Sequence, residues 1–350
     1  MKVLFIGGTG VISEACTKLA VEKGIDLYLF NRGLTEAEIP QEVPVITGDI
    51  RNRSEAAKIL SGLNFDVVVD WIAFTPEHIE TDLALFQGRV QQYVFISSAS
   101  AYQKPPNHYR ITEDTPLCNP FWEYSRNKIA CEERLMRAYR EAGFPVTIVR
   151  PSYTYGRKKI PCATGGSDYT LIDRYKKGKK IIVPGDGTSL WTLTHNTDFA
   201  KGFISLLGKE KAIGESYHIT SDEVLTWNQI YQIIGNAVGV EPNLIYIPSK
   251  VINHFDQEIG AGLLGDKAHS MVFDNSKIKE TVPGFEATVS FAQGVRMAVE
   301  WFEANPQRCV VNERHNQRID RIISAYEKLY PRFDCATGPL MNDRRWDCFR

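Results

Sequence analysis

The first 33 residues constrain the fold most, because an apolar strand runs directly into a glycine-rich turn and a helix. Residues 3–6 form an uninterrupted apolar run, which is typical of a parallel strand buried on both faces. After the turn Gly7-Gly8-Thr9-Gly10, apolar residues recur at helical spacing up to Gly24, a predicted helix C-cap. Residues 26–30 supply the next strand. The order strand, glycine turn, helix, strand predicts a parallel α/β sheet.

This turn is suited to the pyrophosphate of a dinucleotide. Gly7 allows a tight turn, and Gly10 lets the backbone approach the phosphates. Val11 and Ile12 lie at the start of the helix, where free N–H groups and the helix dipole favour negative charge. Gly7-x-x-Gly10 is shorter than the G-x-G-x-x-G spacing, and Ser13 stands where a third glycine is common. An ordinary glycine-rich turn is the alternative, but its position directly after the first strand favours cofactor binding.

The ends of the next two strands bear on the choice of dinucleotide. A carboxylate after the second strand would hold the ribose of NAD, but the chain has Asn31-Arg32-Gly33 there. Arg32 can pair with the extra phosphate of NADP, so NAD or NADP is expected, with a lean towards NADP. A solvated loop arginine explains Arg32 equally well. Asp49 and Ile50 follow the third predicted strand, residues 43–47, and are expected beside the adenine; Asp49 is also a predicted helix cap.

Strands and helices alternate up to residue 150. Further strands are predicted at residues 65–70, 92–97 and 145–150, with helices at residues 76–88 and 122–142. Residues 71–74, which follow the fourth strand and include Ala73, are expected to lie over the cofactor. The alternation predicts a Rossmann-like doubly wound parallel sheet with helices on both faces, formed by residues 1–150 and segments returning from the C-terminal half.

The rhythm changes after Arg150-Pro151, where elements become shorter. Residues 151–310 are predicted to form a smaller α/β substrate-binding domain, and residues 311–350 a helix and an irregular tail. Thr226-x-x-Gln229 is a capping box that begins one of the helices. The active site is expected between the two parts, beyond the carboxyl ends of the strands. The other elements predicted here are strands at 180–183, 190–194 and 216–219 and helices at 168–177, 291–304 and 319–330.

Four Tyr-x-x-x-Lys pairs occur, and their surroundings distinguish them. Only Tyr124 and Lys128 lie near the start of a strong helical run, where residues four apart share a face. The other pairs contain a proline or a glycine, which weakens a helix. These pairs are Tyr155/Lys159, Tyr175/Lys179 and Tyr246/Lys250.

A tyrosine can act as an acid–base group when a positive charge favours its ionised form. The pKa of a phenol is ~10, too high for a base at neutral pH, and an ammonium group one helical turn away, with a positive nicotinamide, lowers it. A serine hydroxyl would hold the substrate oxygen, and residues 97, 98 and 100 are serines after the fifth predicted strand. An ordinary pair on a helix surface is the alternative.

Composition argues against several other classes of protein. The formal net charge is -1, so no global field favours nucleic acid or membranes. There is no apolar span of ~18 residues and no signal peptide before the first strand, so a cytoplasmic protein is expected. The seven scattered cysteines include no C-x-x-C pair, which indicates reduced thiols, and no metal site is expected from the histidines and acidic residues.

Together these motifs resemble extended short-chain dehydrogenases/reductases of the NAD-dependent epimerase/dehydratase family. The resemblance runs from Gly7 to about Trp301. Tyr102 is similar to the tyrosine of the family's Val-Tyr-Gly motif, which places the catalytic hydroxyl at Ser98. Besides the glycine turn and Tyr124/Lys128, the similar segments are Asp49-Ile50, Val149-Arg150-Pro151, Tyr155-Gly156, Gly185-Asp186-Gly187, His195 with Asp198, and Glu300-Trp301-Phe302.

The resemblance implies a role for each candidate residue. Tyr124 would be the acid–base group, Lys128 its pKa-lowering partner and a ribose ligand, and Ser98 the donor to the substrate oxygen. Pro151 would contact the cofactor, and Tyr153 would contact the substrate. Members of the family are often homodimers, so a homodimer is expected. The implied activity is an NAD(P)-dependent oxidoreductase or epimerase acting on a hydroxyl of a sugar or sugar-nucleotide.

Departures from the family pattern bear on the substrate. Trp191 stands where sugar-nucleotide members tend to carry an arginine for the diphosphate; its indole is expected to stack on a base or sugar instead. Ala99-Ser100 replaces the Asp-Glu pair that dehydratases use for water elimination, so dehydration is disfavoured. His195 is interpreted as a structural, hydrogen-bonded histidine at a strand end, and a site residue is the alternative.

A second hypothesis follows from a similarity to chloroplast stem-loop RNA-binding proteins, in segments 119–124 and 191–195. The basic runs at residues 157–159 and 174–180 would then contact RNA. Solvated surface lysines explain the runs as well, and so does a phosphorylated substrate. Because the chain keeps both Tyr124 and Lys128, the sequence favours an enzyme.

Overall fold

The structure is a computed structural model that describes residues 1–34, 38–166 and 168–330. Its strands are β1 (Lys2–Ile6), β2 (Asp26–Asn31), β3 (Val45–Thr47), β4 (Val67–Asp70), β5 (Gln92–Ile96), β6 (Arg110–Ile111), β7 (Val146–Val149), β8 (Tyr153–Tyr155), β9 (Ile181–Pro184), β10 (Leu190–Trp191), β11 (Leu193–His195), β12 (Ser216–Tyr217), β13 (Leu225–Thr226), β14 (Leu244–Ile247) and β15 (Val272–Phe273). Its helices are α1 (Val11–Glu22), α2 (Arg53–Ile59), α3 (Pro76–Phe86), α4 (Glu123–Ala142), α5 (Tyr169–Lys176), α6 (Asn196–Ile204), α7 (Trp227–Val238), α8 (Ser249–Phe255), α9 (Gln257–Gly262), α10 (Ser276–Thr281), α11 (Phe291–Glu303) and α12 (Glu313–Leu329).

Seven parallel strands form the central sheet in the order β12-β7-β5-β4-β1-β2-β3. Side chains of β1 alternate between two apolar layers. Val3 and Phe5 pack in the layer that contains α1 and α6, whereas Leu4 and Ile6 pack in the layer that contains α2, α3 and α4. The strand is therefore buried on both faces, as its apolar run predicts. This arrangement confirms the predicted Rossmann-like doubly wound sheet.

The strand order reverses at β1, which lies between β2 and β4. In open α/β sheets a crevice forms at such a point, beyond the carboxyl ends of the strands. The glycine turn leaves β1 at this end, and the segments after β4 and β5 leave the sheet beside it. The fold thus gathers three of the predicted site segments around one crevice.

The chain after residue 150 contributes to the sheet and to a second apolar core. The strand predicted at residues 216–219 is β12, and it pairs with β7 at the edge of the central sheet. The second core contains side chains of α5, α7, α11 and α12 and the parallel pair β9 and β14. Of these elements α12 lines the crevice, together with Cys162, Ala163 and Ile259 of the same core.

Two local predictions need correction. Residues 190–194, predicted as one strand, form two, because β10 pairs with β13 and β11 with β8. Asp49 does not cap the next helix: its Oδ1 accepts from the Arg51 N–H at 2.9 Å, and Asn52 caps α2.

The capping box of Thr226 and Gln229 is confirmed at the start of α7. The last predicted helix is α12, and the predicted irregular tail at residues 331–350 lies outside the described residues. Across the described ranges, every helix is too short or too polar to cross a membrane.

Candidate active site

Three adjoining cavities form the crevice at the carboxyl end of the sheet. The first, of about 280 Å³, extends from Arg32 and Asp49 to Gly7. The second, of about 300 Å³, extends from the glycine turn to Tyr124. The third, of about 580 Å³, extends from Ser98 and Tyr124 to α12. Gly7 lines both the first and second cavities, and Tyr124 lines both the second and third, so the three form one crevice.

The glycine turn has the geometry that a phosphate cradle needs. Gly7 and Gly8 have φ of 100° and 93°, a region that favours glycine. A Cβ at Gly8 would also lie 2.6 Å from a methyl carbon of Leu29. Gly10 is the N-cap residue of α1, and its N–H donates to the Ser13 Oγ at 2.8 Å, so Ser13 fastens the turn. The need for glycine at position 8 was not predicted, because its positive φ and its contact with Leu29 arise only in the folded chain.

The four residues predicted around the adenosine end are together. Asn31, Arg32, Asp49 and Ile50 all line the first cavity. The Asn31 Oδ1 accepts from the Gly33 N–H at 2.9 Å, while its buried Nδ2 has no partner among the described residues. A free donor of this kind is available to a ligand. The dinucleotide contacts of these residues stay a prediction.

Arg51 lies on the same wall and was not predicted from the sequence. Its guanidinium donates to the Ile72 carbonyl and joins the segments after β3 and β4. No local motif marks this arginine, because its partner lies 21 residues away.

Tyr124 and Lys128 lie one turn apart at the start of α4. The Lys128 amine is 5.8 Å from the centre of the Tyr124 ring and donates to the carbonyls of Ala73 and Ile96 at 2.6 and 2.7 Å. Of the predicted segment 71–74, Trp71, Ile72 and Phe74 line the second cavity, whereas Ala73 is fully buried, which corrects its assignment as a contact residue. The two carbonyls hold the amine under the crevice.

The pKa of Tyr124 differs from the sequence expectation. Burial raises the pKa of Tyr124 to about 12, although a hydrogen bond with Ser98 lowers it in part. Burial also lowers the pKa of Lys128 to about 8. The Lys128 ammonium was expected to lower the pKa of Tyr124. Burial has the larger effect, because the Lys128 amine donates to two carbonyls and not to the phenol. The phenol is therefore protonated at neutral pH in this state of the site.

Three serine hydroxyls form a chain beside Tyr124. The Ser98 and Ser100 Oγ atoms are 2.9 Å apart, and Ser125 donates to Ser100 at 2.7 Å. Ser97 instead contacts the buried Glu132. Ser98 is half-buried and lines both the second and third cavities, so it is the serine best placed to reach a substrate oxygen.

A buried polar network supports the end of β5. Glu132 pairs with Arg150 at 2.7 Å, and Arg150 also donates to the Tyr102 hydroxyl at 3.3 Å. The same hydroxyl is 3.0 Å from His218 Nδ1. Satisfied buried networks of this kind fix side-chain positions. The family tyrosine, Tyr102, is thus a structural residue below Ser98 rather than part of the cavity wall.

The other predicted residues divide between the cavity wall and the core. Pro151 and Tyr153 line the third cavity. The prediction that Trp191 contacts the substrate is wrong: it is 2% exposed and stacks on Trp227 in the second core. His195 caps α6, and its Nδ1 is 2.7 Å from the Thr197 hydroxyl, which supports its structural interpretation.

Most basic residues of the two runs, 157–159 and 174–180, form ion pairs. Arg157 and Lys158 pair with Glu14 at 3.2 and 2.7 Å. In the second run, Arg174 and Lys179 pair with Asp320, Lys176 with Glu303, Lys177 with Asp173 and Lys180 with Glu327. These charges connect parts of the chain to one another.

Within the described ranges, no group of three histidine, cysteine or acidic side chains is arranged to hold a metal ion.

Comparison with known proteins gives relatives of several activities. The chain is 28% identical over 264 residues to the chloroplast stem-loop binding protein of 41 kDa b of Arabidopsis thaliana, a match that spans 71% of this chain and 66% of that protein. It is 22% identical to the 2'-dehydrokanamycin reductase of Streptomyces kanamyceticus, over 71% of this chain and 70% of that one. It is 24% identical to the UDP-N-acetyl-alpha-D-glucosaminuronate decarboxylase of Bacillus cytotoxicus, over 86% and 97%.

Solved structures share the fold. An epimerase from Methanothermobacter thermautotrophicus superposes with a TM-score of 0.72 at 18% identity, covering 87% of this chain and 93% of that one. The UDP-glucuronic acid 4-epimerase of Bacillus cereus gives 0.70 at 19% identity, covering 87% and 99%. The model of the NAD dependent epimerase/dehydratase family matches residues 3–220. The chain therefore belongs to the NAD-dependent epimerase/dehydratase family.

Proposed function

We propose that this chain is an NAD(P)-dependent oxidoreductase or epimerase that acts on a hydroxyl group of a sugar or sugar-nucleotide. The observation that carries the proposal is the position of Ser98 and Tyr124 on the border between the second and third cavities, with the Lys128 amine beside Tyr124. A substrate in the third cavity would meet these groups and the nicotinamide end of a dinucleotide at one place.

The residues of the first two cavities fit a dinucleotide. Gly7 to Gly10 line the second cavity at the N-terminus of α1, and the buried Asn31 Nδ2 has no hydrogen-bond partner among the described residues. The residues that would hold the cofactor are Gly7, Gly10, Val11, Ile12, Asn31, Arg32, Asp49, Ile50, Lys128 and Pro151. Arg32 lines the first cavity, where its guanidinium can reach the extra phosphate of NADP, and a solvated loop arginine stays the alternative.

A bound nicotinamide supplies the acceptor or donor of hydride. In oxidation, the electron pair of the substrate C–H bond leaves as hydride, the hydroxyl proton passes to the Tyr124 phenolate, and a carbonyl forms. Ser98 donates a hydrogen bond to the same substrate oxygen. Because the pKa of Tyr124 is about 12, the protonated phenol is ready to donate in reduction. Oxidation needs the positive charges of Lys128 and the nicotinamide ring to favour the phenolate.

The relatives support this reaction class. They include a protein named as a reductase and one named as a decarboxylase of a nucleotide-linked uronic acid. The replacement of Asp-Glu by Ala99-Ser100 argues against dehydration. A homodimer, a cytoplasmic location and domain boundaries near residues 150 and 310 stay predictions.

A second candidate function is RNA binding, favoured by the 28% identity to the plant stem-loop binding protein. The ion pairs within both basic runs argue against a free cationic RNA surface there. Tight, sequence-selective and salt-dependent binding of RNA that survives Tyr124→Phe would favour this candidate over the enzyme.

The experiment that tests the proposed function follows nicotinamide fluorescence in the presence of a panel of sugars and nucleotide sugars. Once a substrate is found, Tyr124→Phe is expected to lose at least ~100-fold in turnover, because it removes the proton carrier. Tyr246→Phe is the matched control, since Tyr246 also precedes a lysine by four residues but is 44% exposed and outside the crevice. Full turnover by Tyr124→Phe would refute the mechanism.

A further inference from the structure

Lys159 differs from its neighbours in the first basic run. Arg157 and Lys158 are paired with Glu14, whereas Lys159 has no carboxylate partner among the described residues. Its amine instead lies 4.9 Å from the centre of the Tyr153 ring. Lys159 lines both the second and third cavities, as Ser98 and Tyr124 do. Lys159 therefore borders the place where the substrate would react.

A second lysine reaches the same wall from a distant part of the chain. The Lys267 amine lies 5.5 Å from the centre of the same Tyr153 ring and 5.4 Å from that of Trp122. The Tyr153 ring is fixed, because its hydroxyl accepts from the Cys162 N–H at 2.9 Å and donates to the Cys162 carbonyl at 3.1 Å. Lys159 and Lys267 thus share one rigid aromatic platform.

The charges around this platform do not balance. Asp266 lies 3.6 Å from the Lys267 amine and 3.8 Å from the buried Lys104 amine. Glu258, the other carboxylate among the described residues of the wall, is 2.9 Å from Arg318 and is already paired. Three amines therefore face one carboxylate. Burial and the repulsion from Lys267 lower the pKa of Lys159 to about 8, the direction expected for a buried cation that lacks a counter-ion.

We propose that Lys159 and Lys267 bind an anionic group, a carboxylate or a phosphate, that the sugar-like substrate carries close to its reacting carbon. The inference rests on the proposed function and specifies its substrate class. The third cavity holds a sugar-sized molecule easily, and Lys159 borders the same segment of wall as Ser98, Tyr124 and Pro151. An anion there supplies the missing negative charge and forms charge-assisted hydrogen bonds with both amines.

Calorimetric titration of the full chain, with and without saturating NAD+, tests this site. The probes are D-glucuronate, D-glucose 6-phosphate and uncharged D-glucose. We expect an anionic probe to bind at least tenfold more tightly than glucose, and Lys159→Gln and Lys267→Gln each to lose at least tenfold of that affinity. Lys158→Gln is the matched control, because it removes an adjacent positive charge that is paired with Glu14. The anionic probe that binds more tightly identifies the group.

Proton uptake provides a second readout. At pH 8, near the pKa of Lys159, binding of an anion is expected to draw about half a proton onto this amine, measured as a dependence of the heat on buffer ionisation. Lys159→Gln removes most of that uptake.

Three results would overturn the inference. One is equal probe affinity in Lys159→Gln and Lys158→Gln. Another is failure of both anionic probes to bind the wild-type protein at millimolar concentration. The third is a Lys159→Gln variant that loses affinity for NAD+ but not for the probe, since the lysine would then serve the cofactor. Failure of the proposed function is seen separately, as absence of dinucleotide binding by the wild-type protein.

Discussion

The Lys128 amine is buried where two backbone carbonyls accept its hydrogen bonds. Hydrogen bonds to neutral acceptors compensate only part of the cost of burying an ammonium ion. The pKa of Lys128 is accordingly lowered from its usual 10.5 to about 8. At neutral pH the lysine is still charged, so the site keeps a cation beside Tyr124 at a cost in stability.

This cost predicts a specific pH dependence. Between pH 8 and pH 10.5 the unfolded chain keeps the Lys128 proton and the folded protein loses it, so the free energy of unfolding rises with pH in this window. In the wild-type protein the free energy of unfolding should rise by at most about 3 kcal/mol across this window, and Lys128→Met should lack this rise. Urea unfolding of both proteins at pH 7, 8.5 and 9.5 measures it. The same pH dependence in both would show that the lysine is not shifted.

Some residues could be assigned from sequence and others could not, for a physical reason. Tyr124 and Lys128 are neighbours on one helical turn, and Ser98 follows its strand directly, so local spacing is sufficient to find them. Trp191 was misassigned because its burial depends on Trp227, 36 positions later in the chain. The sequence does not distinguish Lys159 from its basic neighbours, because the fold places Glu14 beside those neighbours and not beside Lys159.

At the scale of elements, the glycine turn separates folding requirements from binding requirements. Gly8 has a positive φ, so any side chain there strains the backbone. Gly10 has a φ of -79°, and its added Cβ would meet only the Ser13 Oγ, at 3.5 Å. Gly10 is therefore dispensable for the turn itself, and we propose that it leaves room for a ligand.

We expect Gly10→Ala to lower dinucleotide affinity at least tenfold while costing less than about 1 kcal/mol of stability, because the new methyl group faces the phosphate site at a helix N-cap. Gly24→Ala is the matched control: it carries a positive φ with open space around it, so it should lose stability but not affinity. Thermal unfolding and calorimetric titration measure the two effects. Unchanged affinity in Gly10→Ala would place the phosphates elsewhere.

Element boundaries were predicted well where the pattern is local. The buried strands and the capping box at Thr226 follow from runs and spacings that any short window contains. The break between β10 and β11 could not be predicted in this way, because β10 pairs with β13 and β11 pairs with β8.

At the scale of the whole molecule, the sheet class was predictable and the third cavity was not. Alternation of strands and helices is sufficient to predict a parallel sheet and a crevice at its carboxyl end. The far wall of the third cavity combines Lys159, Asp266, Lys267 and Arg318, which lie up to 159 positions apart in the chain. Only the packing of the second core on the sheet brings them together.

Calorimetric titration of the purified protein with NAD+, NADH and NADPH measures whether the crevice binds a dinucleotide beside Tyr124. We expect saturable binding of one dinucleotide per chain, weakened by Gly10→Ala and unaffected by Gly24→Ala. Tighter binding of NADPH that Arg32→Ala abolishes would confirm the lean towards NADP, whereas NAD+ that copurifies with the protein would favour an epimerase-like cycle. Failure to bind any of the three dinucleotides would contradict the account.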